Sequence, residues 1–239
     1  MDNEDQPSRL LNFLQAMAIS PEEAKRLVDN YRRKVSSRYP EESEEEHERR
    51  VAGEVADRLI RRFARMAAFS GGATALAGVV PGLGTAVAAL GGAAADLGVS
   101  MKLQADMCMC LAEAYGWDLT DVDTRHLSFL IATGSALEHT GVPAAAGVAT
   151  RAGVRMLRQY LKGAALQTLK VLFRKLGIVF TRKALERAAP FGIGVALGAT
   201  ANHAMTRYVG MQAKQWFVLD LEMGGTPSAA PSAGTTAPG

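Results

Sequence analysis

Residues 70–98 read SGGATALAGVVPGLGTAVAALGGAAADLG, and the fold turns on how they are read. The thirty residues between Arg65 and Asp96 carry no charge and are nearly all Ala, Gly, Val or Leu. Pro81-Gly82 interrupts the run near its middle, since proline has no amide hydrogen and glycine turns at little steric cost. The pattern on either side is helical, so the stretch reads as a helical hairpin over about residues 66–100. With the turn centred between Pro81 and Gly82, residue 67 sits level with residue 96. Arg65 and Asp96, the first charges on the two arms, are then expected to pair at the hairpin's base, which spares Asp96 an isolated charge in an apolar setting.

Each arm's uncharged run is about 22 Å long at about 1.5 Å per residue. A membrane-spanning helix needs about 20 residues and about 30 Å. Two full transmembrane passes are therefore disfavoured. Two readings stay open: a hairpin packed dry inside a protein core, or a re-entrant or interfacial hairpin that meets lipid. Gly84, Ala88, Gly92 and Asp96 recur every four residues, a small-residue ridge that lets helices pack closely in either setting. The C-terminal "PFGIGVALGATANHAMTRYVG" repeats the device, with Pro190 opening it and Gly194, Gly198 and Asn202 every four residues. Asp96 and Asn202 are the polar residues of the two ridges. Each either satisfies a nearby backbone group or meets the other where the ridges cross.

The remainder of the 239 residues fits one helical domain with appendages. Glycine and alanine dominate the apolar fraction and aromatics are only 6%. Net charge is +3 but uneven: EESEEEHE (41–48) holds six glutamates, whereas 151–187 holds ten Lys and Arg against Glu186 alone. The acidic start MDNEDQPSRLL is wrong for a secretory signal. Cys108 and Cys110, two apart on a helix, point away from one another and suit neither a disulfide nor a chelate. Reduced core thiols and a cytoplasmic location are the expectation.

Local signals place the helices. A short helix is expected over 8–18, and Ser20-Pro21-Glu22-Glu23 is a capping box with proline at the first helical position, opening a helix to about Ser37. Ser43 with Glu46 forms a second box, from which a helix runs to about Val80. The hairpin's second arm runs from Leu83 to about Tyr115, with Gly116 as its C-cap. Asp118, Thr120 and Asp123 offer capping chemistry for a helix over about 121–138. Further helices are expected over 144–176, 181–188 and from Pro190 to about Leu219. No strand pattern is found, and the fold class is all-α: a bundle built around the Gly/Ala-rich hairpin and the Gly-rich C-terminal helix. The expected divisions are an N-terminal helical extension (1–40), the helical domain (41–220) and a disordered Gly/Pro/Ser/Thr/Ala tail (221–239).

Several segments together resemble the EcsC family of bacterial proteins. They are "GGATALAGVVPGLGTAVA" with Pro81, Gly82 and Gly84, "AAADLG" with Asp96, and "AEAYGWDL" with Tyr115, Gly116 and Asp118. The C-terminal "PFGIGVALGATANHAMTRYVGMQAKQWF" completes the set with Pro190, Gly194, Asn202, Ala213 and Phe217. The resemblance covers about residues 50–220. It implies an all-helical, membrane-associated protein, from a family named after a component of an operon that also encodes an ABC-type transporter. No catalytic residues come with it.

The basic segment is amphipathic. Leu157, Leu161, Ala165, Thr168, Leu172 and Leu176 fall on one side of a helix, while Arg151, Arg155, Arg158, Lys162, Lys170, Arg174 and, beside them, Lys175 supply the charge. Such a face suits an anionic bilayer surface, and equally an ordinary solvated surface. Only Tyr160 and Phe173 could stack on bases, so nucleic acid is not an expected partner. His47, His126, His139 and His203 are scattered, and "DLTDVD" lacks the spacing and glycine of a calcium loop. No GxSxG occurs and Gly82-Leu83-Gly84 is no nucleotide loop. No cofactor or metal is expected. The leading expectation is a non-enzymatic protein, peripheral on the inner face of the cytoplasmic membrane, that supports or regulates a membrane machine such as an ABC-type transporter, or remodels membrane. Two others remain: a soluble helical module that binds a lipid or other apolar ligand, and a membrane-inserting, pore-forming effector. Protein partners stay open, and the glycine ridges favour self-association.

Overall fold

A computed structural model describes residues 15–39, 43–69, 92–142, 147–161, 168, 171–172, 174–175 and 193–225, with 92–97 and 193–198 described by backbone alone. The chain is all-α. Six helices are described: α1 (Pro21–Ser36), α2 (Glu44–Phe69), α3 (Gly92–Ala114), α4 (Val122–His139), α5 (Arg151–Leu161) and α6 (Ile193–Glu222).

The ends of these helices follow from local chemistry. Ser20 accepts from the Glu23 amide while Glu23 reaches back to the Ser20 amide, so the expected capping box opens α1. Asp118 accepts from the amide and the hydroxyl of Thr120, which turns the chain toward α4, but the cap itself is Asp121, bonded to the Asp123 amide at 3.0 Å. Gly116 has φ +89°, with its amide bonded to Glu113 O and that of Trp117 to Ala112 O. This is the left-handed stop expected at the end of α3. Gly224, at φ +77°, ends α6 the same way, its amide on Leu221 O and that of Gly225 on Asp220 O. α6 therefore runs on to Glu222 and its cap to Gly225, so the tail begins later than the expected residue 221. The reason is tertiary, because Asp220 is buried and held by Arg158.

α3 is the centre of the bundle: every residue from Val99 to Ala112 is buried. α2 presents Val51, Val55, Leu59, Phe63 and Ala67 to the core at helical spacing. Its partner α6 is antiparallel to it, since Ile60 lies against Gly210 and Asp57 pairs with Lys214. A Cβ on Gly210 would come within 2.7 Å of Ile60 and 3.0 Å of Met107, so that glycine sets the approach of three helices. Met107 beside Gly210 and Tyr115 beside Phe217 make α3 and α6 parallel. α1 joins the same core through Ala24, Val28 and Val35.

The bundle therefore has two ends. At the hairpin end α2 finishes, and α3 and α6 begin. At the distal end α3 and α6 finish, and α2 and α4 begin. Phe217 gathers the distal end, with Tyr115 stacked at 6.0 Å, Trp117 at 5.1 Å and Trp216 edge-on at 5.3 Å. The expected hairpin turn with Pro81, Gly82 and Gly84, after which the hairpin end is named, the expected helix over 181–188, Pro190, Lys162 and Lys170 lie outside the described residues. So do residues 8–14 of the first expected helix, which is seen only over 15–17.

Candidate functional site

The expected basic face is partly realised. α5 opens with Thr150, whose hydroxyl accepts from the Gly153 amide at 3.0 Å. Gly153, Val154 and Leu157 are buried, while Arg151 and Arg155 point outward and are exposed. Further along, Arg174 and Lys175 are exposed, and Leu172 packs against the core. Four cations are thus exposed, while Val154, Leu157 and Leu172 pack against the bundle.

Arg158 does not belong to that row. Its Nε donates to Asp220 Oδ1, a carboxylate with only 3% of its side chain exposed. That hydrogen bond holds the guanidinium's pKa above its usual range. Gly225 closes over the pair: a Cβ there would fall 2.1 Å from Arg158 Nη2. Arg158 is thus a tertiary tie, unlike the expected free surface cation, with 38% of its side chain still exposed. Sequence periodicity could not show this, because the partner lies 62 residues away.

Arg65 is exposed on α2. Asp96 and Gly194 lie within α3 and α6, but their side chains are outside the described residues, as is the expected Arg65–Asp96 pair. Asn202 is half-buried on α6. Tyr115, Gly116 and Asp118 are structural: an aromatic packed on Phe217, a left-handed cap and a turn-forming carboxylate. Two segments of the family resemblance, "AEAYGWDL" and "QAKQWF", meet in that aromatic cluster.

Sequence reading missed a buried ion pair. Lys102 and Asp106, one turn apart on α3, bond to each other with side chains only 8% and 6% exposed. Asp106 Oδ1 also accepts from the Ile19 amide at 2.9 Å, which ties the segment before α1 to the central helix. Burial pushes the Asp106 carboxyl above the usual range, against the pull of Lys102. Cys108 and Cys110 are free and buried, and burial pushes both thiols well up.

A hollow of about 210 Å³ lies among Gln15, Ala18, Val122, Arg125, His126 and Phe129. It is smaller than the about 300–1,000 Å³ usual for a small-molecule site. Burial lowers the pKa of His126 there. Among the described residues no three His, Cys, Asp or Glu gather to hold a metal ion, and no helix is long and apolar enough to cross a membrane. Comparison with family models, with curated proteins and with solved structures gives no match.

Proposed function

We propose that this protein is a peripheral membrane-associated helical protein whose basic face engages anionic lipid, and that it supports or regulates a membrane machine such as an ABC-type transporter. The observation that carries the reading is the exposure of Arg151, Arg155, Arg174 and Lys175 beside the buried Val154 and Leu157 and the packed Leu172. Each Lys or Arg near an anionic leaflet contributes about 1 kcal/mol of attraction, which salt screens. The resemblance of residues 50–220 to the EcsC family supports the same assignment. Exposed cations on a folded bundle suit reversible surface attachment better than insertion.

Liposome flotation tests the proposal. The purified chain is expected to float with phosphatidylglycerol-containing vesicles at low salt, to stay behind with neutral vesicles, and to be released by a salt wash. R151Q/R155Q/R174Q/K175Q should weaken flotation without altering the helical spectrum. Equal flotation of the variant and the parent chain would sink this reading. Flotation that survives the salt wash would favour an inserted hairpin, and dye release would add the pore-forming reading.

A further inference from the structure

We infer that the C-terminal half of α2 is a second anionic-lipid contact, one that turns the hairpin end of the bundle toward the bilayer. This rests on the membrane reading above and specifies a surface that the reading does not contain. α2 is divided in charge along its length. Residues 44–57 hold all six of its acids, whereas residues 58–69 hold Arg58, Arg61, Arg62 and Arg65 and no acid.

At about 100° per residue, positions 58, 61, 62, 65 and 69 fall within one arc of about 100°. The side opposite them carries Phe63, Ala64 and Ala67 into the core. Arg58 is drawn back by Glu54, but Arg61, Arg62 and Arg65 are exposed, and among the described residues no carboxylate pairs with them. Phe69 ends the stripe with 75% of its surface exposed. Arg207 on the adjoining α6 is also exposed, and the contact between Ile60 and Gly210 puts it at about the same level.

Helix stability does not account for the stripe. The dipole rewards cations in the last turn, and the last turn of α2 holds none. Arg58 with Arg62 and Arg61 with Arg65 are like charges four apart, and Arg58 with Arg61 and Arg62 with Arg65 are three apart, spacings at which cations repel. A helix face that keeps Arg61, Arg62 and Arg65 unpaired at repelling spacings and ends in an exposed phenylalanine fits an extended anionic surface with an apolar layer beneath it. A bilayer of anionic lipid has both, and snorkelling arginines with an interfacial aromatic match its headgroup zone.

The test combines an affinity with an orientation, using the full chain and vesicles of phosphatidylcholine with or without phosphatidylglycerol. Three neutralised arginines in R61Q/R62Q/R65Q should weaken partitioning on the order of a hundredfold at low salt. F69W supplies an indole at the hairpin end, while the native Trp117 and Trp216 are buried at the distal end and serve as the internal reference. Brominated lipid should quench the F69W indole and spare the other two. Vesicle binding without that quenching, or with R61Q/R62Q/R65Q partitioning like the parent chain, overturns the inference. In that case weakening by R151Q/R155Q/R174Q/K175Q still leaves the α5 face as the contact. A parent chain that fails to bind anionic vesicles at low salt overturns both.

Discussion

The two ends of the bundle are built by opposite rules. At the distal end, charge is neutralised and backbone is capped: Arg158 meets Asp220, Glu54 takes Arg38, Arg58 and Tyr39, and Gly116 and Gly224 turn the two long helices off. Toward the hairpin end, arginines on α2 stand exposed beside one another with Phe69 beyond them. The first arrangement lowers the free energy of the isolated chain. The second does not, and the lipid contact inferred above would account for it. Under that inference the comparison separates residues that serve the fold from residues that serve contact, and each substitution below tests one side of it.

The largest effect is expected at Phe217, fully buried among Tyr115, Trp117 and Trp216. F217A should cost about 3–5 kcal/mol in urea unfolding, the loss of a large ring plus the cavity it leaves. A cost below about 1 kcal/mol would mean that the aromatic cluster does not hold the distal end.

Next comes the pair inside α3. K102M leaves Asp106 buried without its cation and should cost about 3 kcal/mol, whereas K102M/D106L should cost less than K102M alone, because the unpaired charge is gone. The pH dependence follows from the raised carboxyl of Asp106. A folded-state pKa above the unfolded one gives stability that is full below the unfolded value and lost as pH rises through the folded value. With Lys102 removed that loss should grow, so the K102M deficit in urea midpoint should shrink as the pH falls toward the ordinary carboxylate range. A deficit that grows on acidification would reverse the assignment.

These cases show what the sequence made legible. The Ser20–Glu23 capping box, the Gly116 stop and the all-α pattern depend on residues within a few positions of one another, and they were read correctly. Lys102–Asp106 is equally local, yet it went unread, because on a bare helix two charges four apart look like a solvated pair. Only the surrounding α1, α2, α4 and α6 make them buried. Arg158 was read as one cation in a basic row, and only the return of α6 past α5 gives it Asp220. R158M should accordingly cost about 2 kcal/mol, as a charge-assisted hydrogen bond to a buried carboxylate is lost, while R155M one turn earlier should be near neutral. Equal costs for the two would return Arg158 to the solvated row. The hairpin tip, on which the sequence argument concentrated, lies outside the described residues, so its two readings stand as the sequence left them.

The smallest expected effect belongs to the hairpin end and is the sharpest test of the contrast. R61Q/R62Q/R65Q removes exposed cations that neighbour one another at repulsive spacings. Its unfolding free energy should therefore stay within about 0.5 kcal/mol of the parent chain, with any gain largest at low ionic strength. Added salt should stabilise the parent more than the variant, because screening has less repulsion left to relieve. A loss above about 1 kcal/mol would mean that the arginines serve the fold through partners of their own, and the two ends would no longer differ in kind. If stability is unchanged while vesicle binding falls, the same three side chains are shown to cost the fold nothing and to act on lipid alone.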